Sequence, residues 1–168
     1  MLRSIVITAF ITLFLLPACT VPEPLPPEEL TVEYVNQAPG KSKDDIYKGI
    51  KVWIAQTFNS AKDVIDLDDP ASGTIIAKGI IPYPNEGLGH SGNTLSFVMK
   101  VDVKEGRYRT QFSNLVEQYE VTNNPMSMTD GAQIVVKTKQ HMDEAKTGLD
   151  RLNSGLLNAL TKAGNDNW

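Results

Sequence analysis

Two stretches of alternating apolar and polar residues, separated by a short turn, constrain the fold of this chain more than any other feature. In residues 94 to 103 apolar side chains occupy every second position, at Leu95, Phe97, Met99 and Val101, and Val98 is the one exception to the alternation. Residues 107 to 116 alternate again after the turn Lys104-Glu105-Gly106, where glycine suits a positive φ angle. Alternation with a period of two is typical of half-buried strands, so this segment predicts an antiparallel hairpin.

The flanking segments predict further strands and two helices. Strand patterns cover residues 30 to 36, 64 to 67 and 74 to 81. Ser42 is a typical N-cap, Asp45 completes an approximate capping box, and the apolar spacing predicts a helix to about residue 59. A long helix is predicted from about residue 130 to 163, with an apolar stripe of Val135, Met142, Ala145, Leu149, Leu152, Leu156 and Leu160. The expected fold is α+β, an antiparallel sheet with the N-terminal helix and the long C-terminal helix packed on one face.

The N-terminus has the organisation of a bacterial lipoprotein signal peptide. Arg3 supplies a positive charge, and residues 4 to 16 form an apolar stretch too short to span a bilayer. The run Leu16-Pro17-Ala18-Cys19 resembles the lipobox cut by lipoprotein signal peptidase, although Pro17 departs from the usual residues. Cys19 is the only cysteine and has no partner for an intramolecular disulfide. We expect residues 1–18 to be removed and Cys19 to carry lipid, which anchors an exported protein to the membrane.

The residues around this cysteine extend the prediction. Thr20 stands where aspartate tends to retain lipoproteins in the inner membrane, which indicates the outer membrane, facing the periplasm, in a Gram-negative cell. Residues 21 to 29 hold four prolines and three glutamates, which favour an extended tether. We therefore divide the chain into a signal (1–18), a lipidated tether with a short strand (19–35) and one α+β domain (36–164). The alternatives for the N-terminus are an uncleaved anchor and an ordinary secretory signal.

The charge balance excludes one class of partner. The chain carries 16 basic and 20 acidic residues, a formal net charge of −4 at pH 7. Proteins that bind nucleic acid usually present a basic surface, so we expect no nucleic-acid partner. The same balance argues against attraction to anionic lipid headgroups.

Three stretches together are similar to one known family. They are residues 40 to 47 (GKSKDDIY) leading to Trp53, residues 61 to 66 (AKDVID) before Gly73, and residues 101 to 109 (VDVKEGRYR). They resemble a family of bacterial exported proteins described as a domain of unknown function with a TATA-binding-protein-like fold. The resemblance implies an antiparallel sheet with helices on one face. It implies no catalytic residues, and the name of the fold implies no DNA binding.

Few residues indicate catalysis or metal binding. Residues 87 to 92 match G-x-G-x-x-G, but a strand pattern follows them where a dinucleotide site needs a helix. His90 and Ser91 leave a hydrolase as a remote alternative, since no acid partner is placed beside them. An acidic corner (Asp63, Asp66, Asp68 and Asp69) lacks the glycine and glutamate of a calcium loop. We expect no cofactor, no metal and no catalytic activity.

The polar face of the predicted hairpin is the candidate site. It carries Lys100, Asp102, Lys104, Arg107, Arg109 and Gln111. If the helices cover the apolar face, these side chains are exposed and can bind a carboxylate-bearing protein or cell-wall partner, with the arginines as bidentate donors. An ordinary solvated face with cross-strand ion pairs is the competing interpretation. A third hypothesis is structural: self-association through the apolar stripe of the C-terminal helix. The oligomeric state is left open.

Overall fold

The computed structural model describes residues 23–58, 64–82, 93–119 and 132–162. Within them the strands are β1 (Val32–Gln37), β2 (Ile65–Asp69), β3 (Thr74–Pro82), β4 (Thr94–Lys104), β5 (Arg107–Gln118) and β6 (Gln133–Val135). The two long helices are α1 (Lys43–Thr57) and α2 (Lys139–Lys162), and a 3-10 turn covers Pro27–Leu30. No helix in these ranges is long and apolar enough to cross a membrane.

All strands belong to one antiparallel sheet. Its order is β1-β5-β4-β3-β2, and β6 pairs with the end of β5. β1 pairs with the first half of β5, while β6 pairs with residues 116 to 118 on the same side of that strand. Both helices pack on one face of this sheet, so the predicted α+β architecture is confirmed.

The β4–β5 hairpin is where the alternation predicted it. Lys104 pairs with Arg107 across the two-residue loop Glu105-Gly106, and Gly106 has a φ of 67° that a side chain would oppose. Farther along β5 a bulge forms at Asn114, whose φ is 52°. Because of this extra residue, Phe112 and Leu115 both face the core although they are three positions apart.

The start of α1 confirms the predicted cap. The Asp45 backbone N–H donates to Ser42 Oγ at 3.1 Å, and Ser42 Oγ donates to the Asp45 carboxylate at 2.7 Å. The hydrogen bond from the Ser42 hydroxyl is the main reason why the pKa of Asp45 is lowered. Buried Ile46, Ile50 and Ile54 then recur every four residues and set the face of α1 that packs on the sheet.

The core lies between the sheet and the two helices. Edge-to-face aromatic contacts cross it from α1 to β1, in the order Trp53, Phe58, Phe97, Phe112 and Tyr34. The Tyr34 hydroxyl donates to Asp150 at 2.5 Å and ties β1 to α2. The predicted stripe of α2 from Met142 to Leu160 is buried here. Self-association through that stripe would therefore require the domain to open.

The predicted start of the C-terminal helix was wrong. Val135 belongs to β6, and α2 begins only at Lys139. The β-branched run Ile134-Val135-Val136 favours an extended chain, and the Val136 N–H donates to the Leu115 carbonyl at 3.0 Å. A three-residue strand next to a long helical pattern is easily absorbed into that pattern.

The N-terminal boundary also differs from the prediction. β1 is an integral strand of the sheet, paired from Val32↔Phe112 to Gln37↔Arg107, so the domain begins before residue 36. The segment predicted as a free tether is attached as well, because Leu25 and Leu30 pack against the core. The Leu25 N–H donates to the Lys137 carbonyl at 2.7 Å. Two leucines among the prolines and glutamates are enough to dock this part of the segment.

Candidate functional site: the open face of the sheet

The predicted polar side chains lie together on the face of the sheet opposite the helices, which we call the open face. Lys100 pairs with Gln111 across the hairpin, and Lys104 pairs with Arg107. Asp102 lies between these pairs, opposite Arg109. The neighbouring strand β1 adds Glu33 and Val35, whose register partners are Gln111 and Arg109. The hairpin therefore places the candidate residues as the alternation predicted.

Three of the five candidate binding residues are occupied by internal contacts. Arg109 Nη2 donates to Asp102 Oδ2 at 2.7 Å, and Arg109 Nη1 lies 3.8 Å from Glu33 Oε2. Lys100 Nζ lies 3.3 Å from the same Asp102 oxygen, and Gln111 donates to Glu33 at 2.8 Å. Arg109 is therefore engaged with two carboxylates of this chain, as the competing interpretation of cross-strand ion pairs describes.

Asp102 is the centre of this ion-pair network. Burial raises its pKa, but hydrogen bonds from Arg109, Lys100 and Thr74 outweigh burial, so the net pKa of Asp102 is lowered. The hydrogen bond to Asp102 also raises the pKa of Arg109. The network therefore stays charged at neutral pH and fixes the side chains of three adjacent strands.

Lys104 and Arg107 differ from the networked cations. Both are exposed at the hairpin turn, and neither makes an ion pair within the residues that the structure describes. They border a shallow concavity of about 260 Å³, lined also by Glu33, Val35, Asp102 and Arg109. An ammonium and a guanidinium with unused donors suit a carboxylate or phosphate ligand. Of the five predicted binding residues, Lys104 and Arg107 are the two that make no ion pair in the described structure and can contact a ligand.

The open face is not polar throughout, which the sequence interpretation missed. Away from the hairpin turn, neighbouring strands carry uncharged β-branched side chains: Ile80, Val98, Val116 and Val135. Ile80 is 58% exposed and Val135 is 50% exposed. The face thus has a charged half near the turn. The half near the opposite ends of the strands is mainly apolar, with one ion pair between Lys78 and Asp66. The sequence shows these four residues as parts of separate strand patterns. Only the bulge in β5 and the pairing of β6 with β5 place Val116 and Val135 on the same face as Ile80 and Val98.

A buried carboxylate lies on the other side of the sheet. Glu117 is 1% exposed, and its carboxylate acts on the Tyr119 hydroxyl. Burial, followed by this interaction with Glu117, raises the pKa of Tyr119 to about 12. Sequence reasoning did not single out Glu117, because it follows the alternating stretch that ends at residue 116.

The remaining sequence candidates separate into two groups. Cys19, Asp63, His90 and Ser91 lie outside the described residues. In the acidic corner, Asp68 accepts hydrogen bonds from Tyr47 and Lys51, and Asp69 accepts backbone N–H groups at the following turn. No group of three or more His, Cys, Asp or Glu residues that could hold a metal occurs in the described part of the chain.

Comparison with solved structures shows the fold. A TBP-like protein from Parabacteroides distasonis ATCC 8503 aligns with a TM-score of 0.58 and 13% identity, over 78% of this chain and 92% of that one. A DUF4468 family protein from Bacteroides ovatus ATCC 8483 aligns with a TM-score of 0.57 and 15% identity, over 77% of this chain and 85% of that one. At such low identity these similarities show the fold alone.

Comparison with protein families gives the identity of the domain. No curated protein matches this chain. Residues 33–118, from β1 to the end of β5, match the family described as "Domain of unknown function (DUF4468) with TBP-like fold". The match covers the whole candidate site and confirms the resemblance seen in the sequence. The chain belongs to the DUF4468 family, whose domain has a TBP-like fold.

Proposed function

We propose that this protein is a cell-envelope lipoprotein whose domain binds a carboxylate-bearing envelope partner through Lys104 and Arg107. The observation that supports this most is the contrast within one face. Lys100 and Arg109 both pair with Asp102, while Lys104 and Arg107 are exposed at the edge of the concavity and have no ion pair among the described residues. Exposed arginine and lysine with free donors are suited to anionic ligands.

The lipid anchor is the second part of the proposal. Its support is the N-terminal pattern that ends at Cys19, the single cysteine of the chain. With lipid on this residue the domain would stay at a membrane surface, since two or more acyl chains give stable anchoring. Thr20 favours the outer membrane in a Gram-negative cell. Mass spectrometry of the N-terminal peptide tests this part, and Cys19→Ser should release the protein from the membrane fraction.

Binding without catalysis agrees best with the chemistry of the concavity. Its two carboxylates, Glu33 and Asp102, both contact Arg109, so neither is a free general base. The other residues that border it are three cations, Val35 and Tyr108, which is 1% exposed. A surface of this kind recognises charge and shape and has no evident nucleophile to activate.

In-cell photo-crosslinking tests the binding site. A photo-reactive residue at position 105, which is exposed at the turn between the two cations, should give one dominant adduct, identified by mass spectrometry. Lys104→Glu in the same chain should abolish it. Position 48 on α1 is the control, because Lys48 is also exposed but does not lie on the sheet. An anchored, folded protein that gives no adduct at 105, or the same adducts at 105 and 48, contradicts the proposed site.

A further inference from the structure

The docked N-terminal segment limits where the domain can lie relative to a lipid anchor. Leu25 is held by its hydrogen bond to Lys137 and by packing against the core. From there the chain passes through the 3-10 turn to β1. We call this attachment the Leu25 latch. It joins the N-terminal segment to the edge of the sheet where β6 ends and α2 begins.

The latch shortens the free chain between the anchor and the domain. Leu25 is six residues after Cys19, so this connection reaches at most about 20 Å. Without the latch the next attached residue would be Leu30, eleven residues after Cys19, and the free chain would reach about 38 Å. The latch therefore keeps the domain near the bilayer. A longer free tether would let the domain rotate relative to the membrane.

The two edges of the sheet lie at different distances from the latch. β6 lies beside the latch, whereas β2 forms the opposite edge, four strand positions away. At about 4.8 Å per strand these edges are roughly 19 Å apart. To bring β2 to the bilayer, the six residues would have to be almost fully extended along the whole width of the sheet. A short connection therefore favours one orientation over its opposite.

We propose that the Leu25 latch holds the edge formed by the 3-10 turn, β6 and the start of α2 next to the phospholipid surface and directs β2 away from it. This inference rests on the proposed lipid anchor at Cys19. Charge does not supply the orientation, because Lys139 at this edge pairs with Asp143, and the adjoining 3-10 turn carries Glu28 and Glu29. The covalent anchor and the latch together supply it, so the orientation should persist in neutral and in anionic bilayers.

Fluorescence quenching in vesicles tests the orientation. Val135 on β6 and Leu67 on β2 are a matched pair, since both are apolar, lie on the open face and are half exposed, at 50% and 43%. We would label Val135→Cys or Leu67→Cys in the full-length acylated protein. The protein would be placed in phosphatidylethanolamine/phosphatidylglycerol vesicles that contain nitroxide-labelled lipid. Stronger quenching at position 135 than at 67, with similar differences in phosphatidylcholine vesicles, is expected.

The latch itself is tested by Leu25→Pro, which removes both the N–H donor and the packed side chain. In this variant the difference between positions 135 and 67 should decrease, because the free chain becomes longer. Equal quenching in an acylated, latched protein overturns this inference and leaves the lipid anchor intact. An unmodified Cys19, seen by mass and by a second labelled thiol, overturns the proposed anchor and this inference with it.

Discussion

The two faces of the β4–β5 hairpin share one backbone and differ in every other respect. On the inner face, Met99, Val101, Tyr108 and Phe112 are buried against the helices. On the outer face, the side chains of the adjacent residues form an ion-pair network. At the turn, this face ends in two cations that have no ion pair among the described residues. The difference arises from the period of two in a strand, which assigns adjacent residues to opposite environments.

This comparison separates stability from recognition. Burying an aromatic side chain stabilises the fold by several kcal/mol, whereas exposed ion pairs contribute about 0–1 kcal/mol. The inner face should therefore determine whether the domain folds. The outer face should determine what it binds, and most of its side chains can change without loss of the fold.

The largest difference in stability should be seen between substitutions at two adjacent residues of β5 that lie on opposite faces. Phe112→Ala removes a ring that contacts Phe97 at a centroid distance of 5.3 Å, and it should lower the free energy of unfolding by about 3–5 kcal/mol. Gln111→Ala removes one exposed hydrogen bond and should cost about 1 kcal/mol or less. Chemical denaturation of both variants measures this. Similar losses would show that the two faces are not energetically distinct.

A second, smaller effect concerns the aromatic contacts across the core. Gly79 on β3 lies under the Phe97 ring, and an added Cβ would overlap that ring. Gly79→Ala should therefore destabilise the domain by about 1–3 kcal/mol, as overpacking does. The matched control is Ser96→Ala on the opposite face of β4, where the side chain is only half-buried. Thermal unfolding of both variants tests this, and a fully stable Gly79→Ala protein would mean that the ring can move aside.

The sequence predicted the local features of this fold and missed the distant ones. Alternation gave the two faces of the hairpin, and the Ser42 cap gave the start of α1, because both depend on residues only a few positions apart. The pairing of Gln111 with Glu33 joins residues 78 positions apart, so no local pattern indicates it. The ion pair of Arg109 with Asp102 lies within the predicted hairpin, and the sequence left it open as the competing interpretation.

Short or irregular features explain the other differences. β6 has three residues, too few to show a period, and the bulge at Asn114 interrupts the alternation of β5. Leu25 is an isolated apolar residue in a proline-rich segment, and only the structure shows that it docks. The candidate site was thus located correctly by strand alternation, but which of its cations are available depended on tertiary contacts.

The ion-pair network should make stability depend on pH through Asp102. Its pKa is lowered in the folded state, so its contribution is present above the unfolded value of about 3.9 and is lost as the pH falls below it. Asp102→Asn should therefore reduce stability at pH 7, and the difference from the parent protein should close as the pH falls below about 4. Glu105→Gln at the turn is the control for loss of one negative charge. Denaturation over this pH range measures both, and a difference independent of pH would contradict the role of the network.

The smallest effect on stability should distinguish two arginines on the same face of the same strand. Arg109→Ala breaks the contacts to Asp102 and Glu33, so it should lower the denaturation midpoint slightly, and less so at high salt, where exposed ion pairs are screened. Arg107→Ala removes a cation without an ion pair in the described structure and should leave the midpoint unchanged. In partner capture the order should reverse, because Arg109 is paired with Asp102, whereas Arg107 has no ion pair among the described residues. If Arg109→Ala also abolishes capture while remaining folded, the ion-pair network is part of the binding surface. Stability and recognition would then divide between the inner and the outer face of the hairpin, and not between the network and the turn within the outer face.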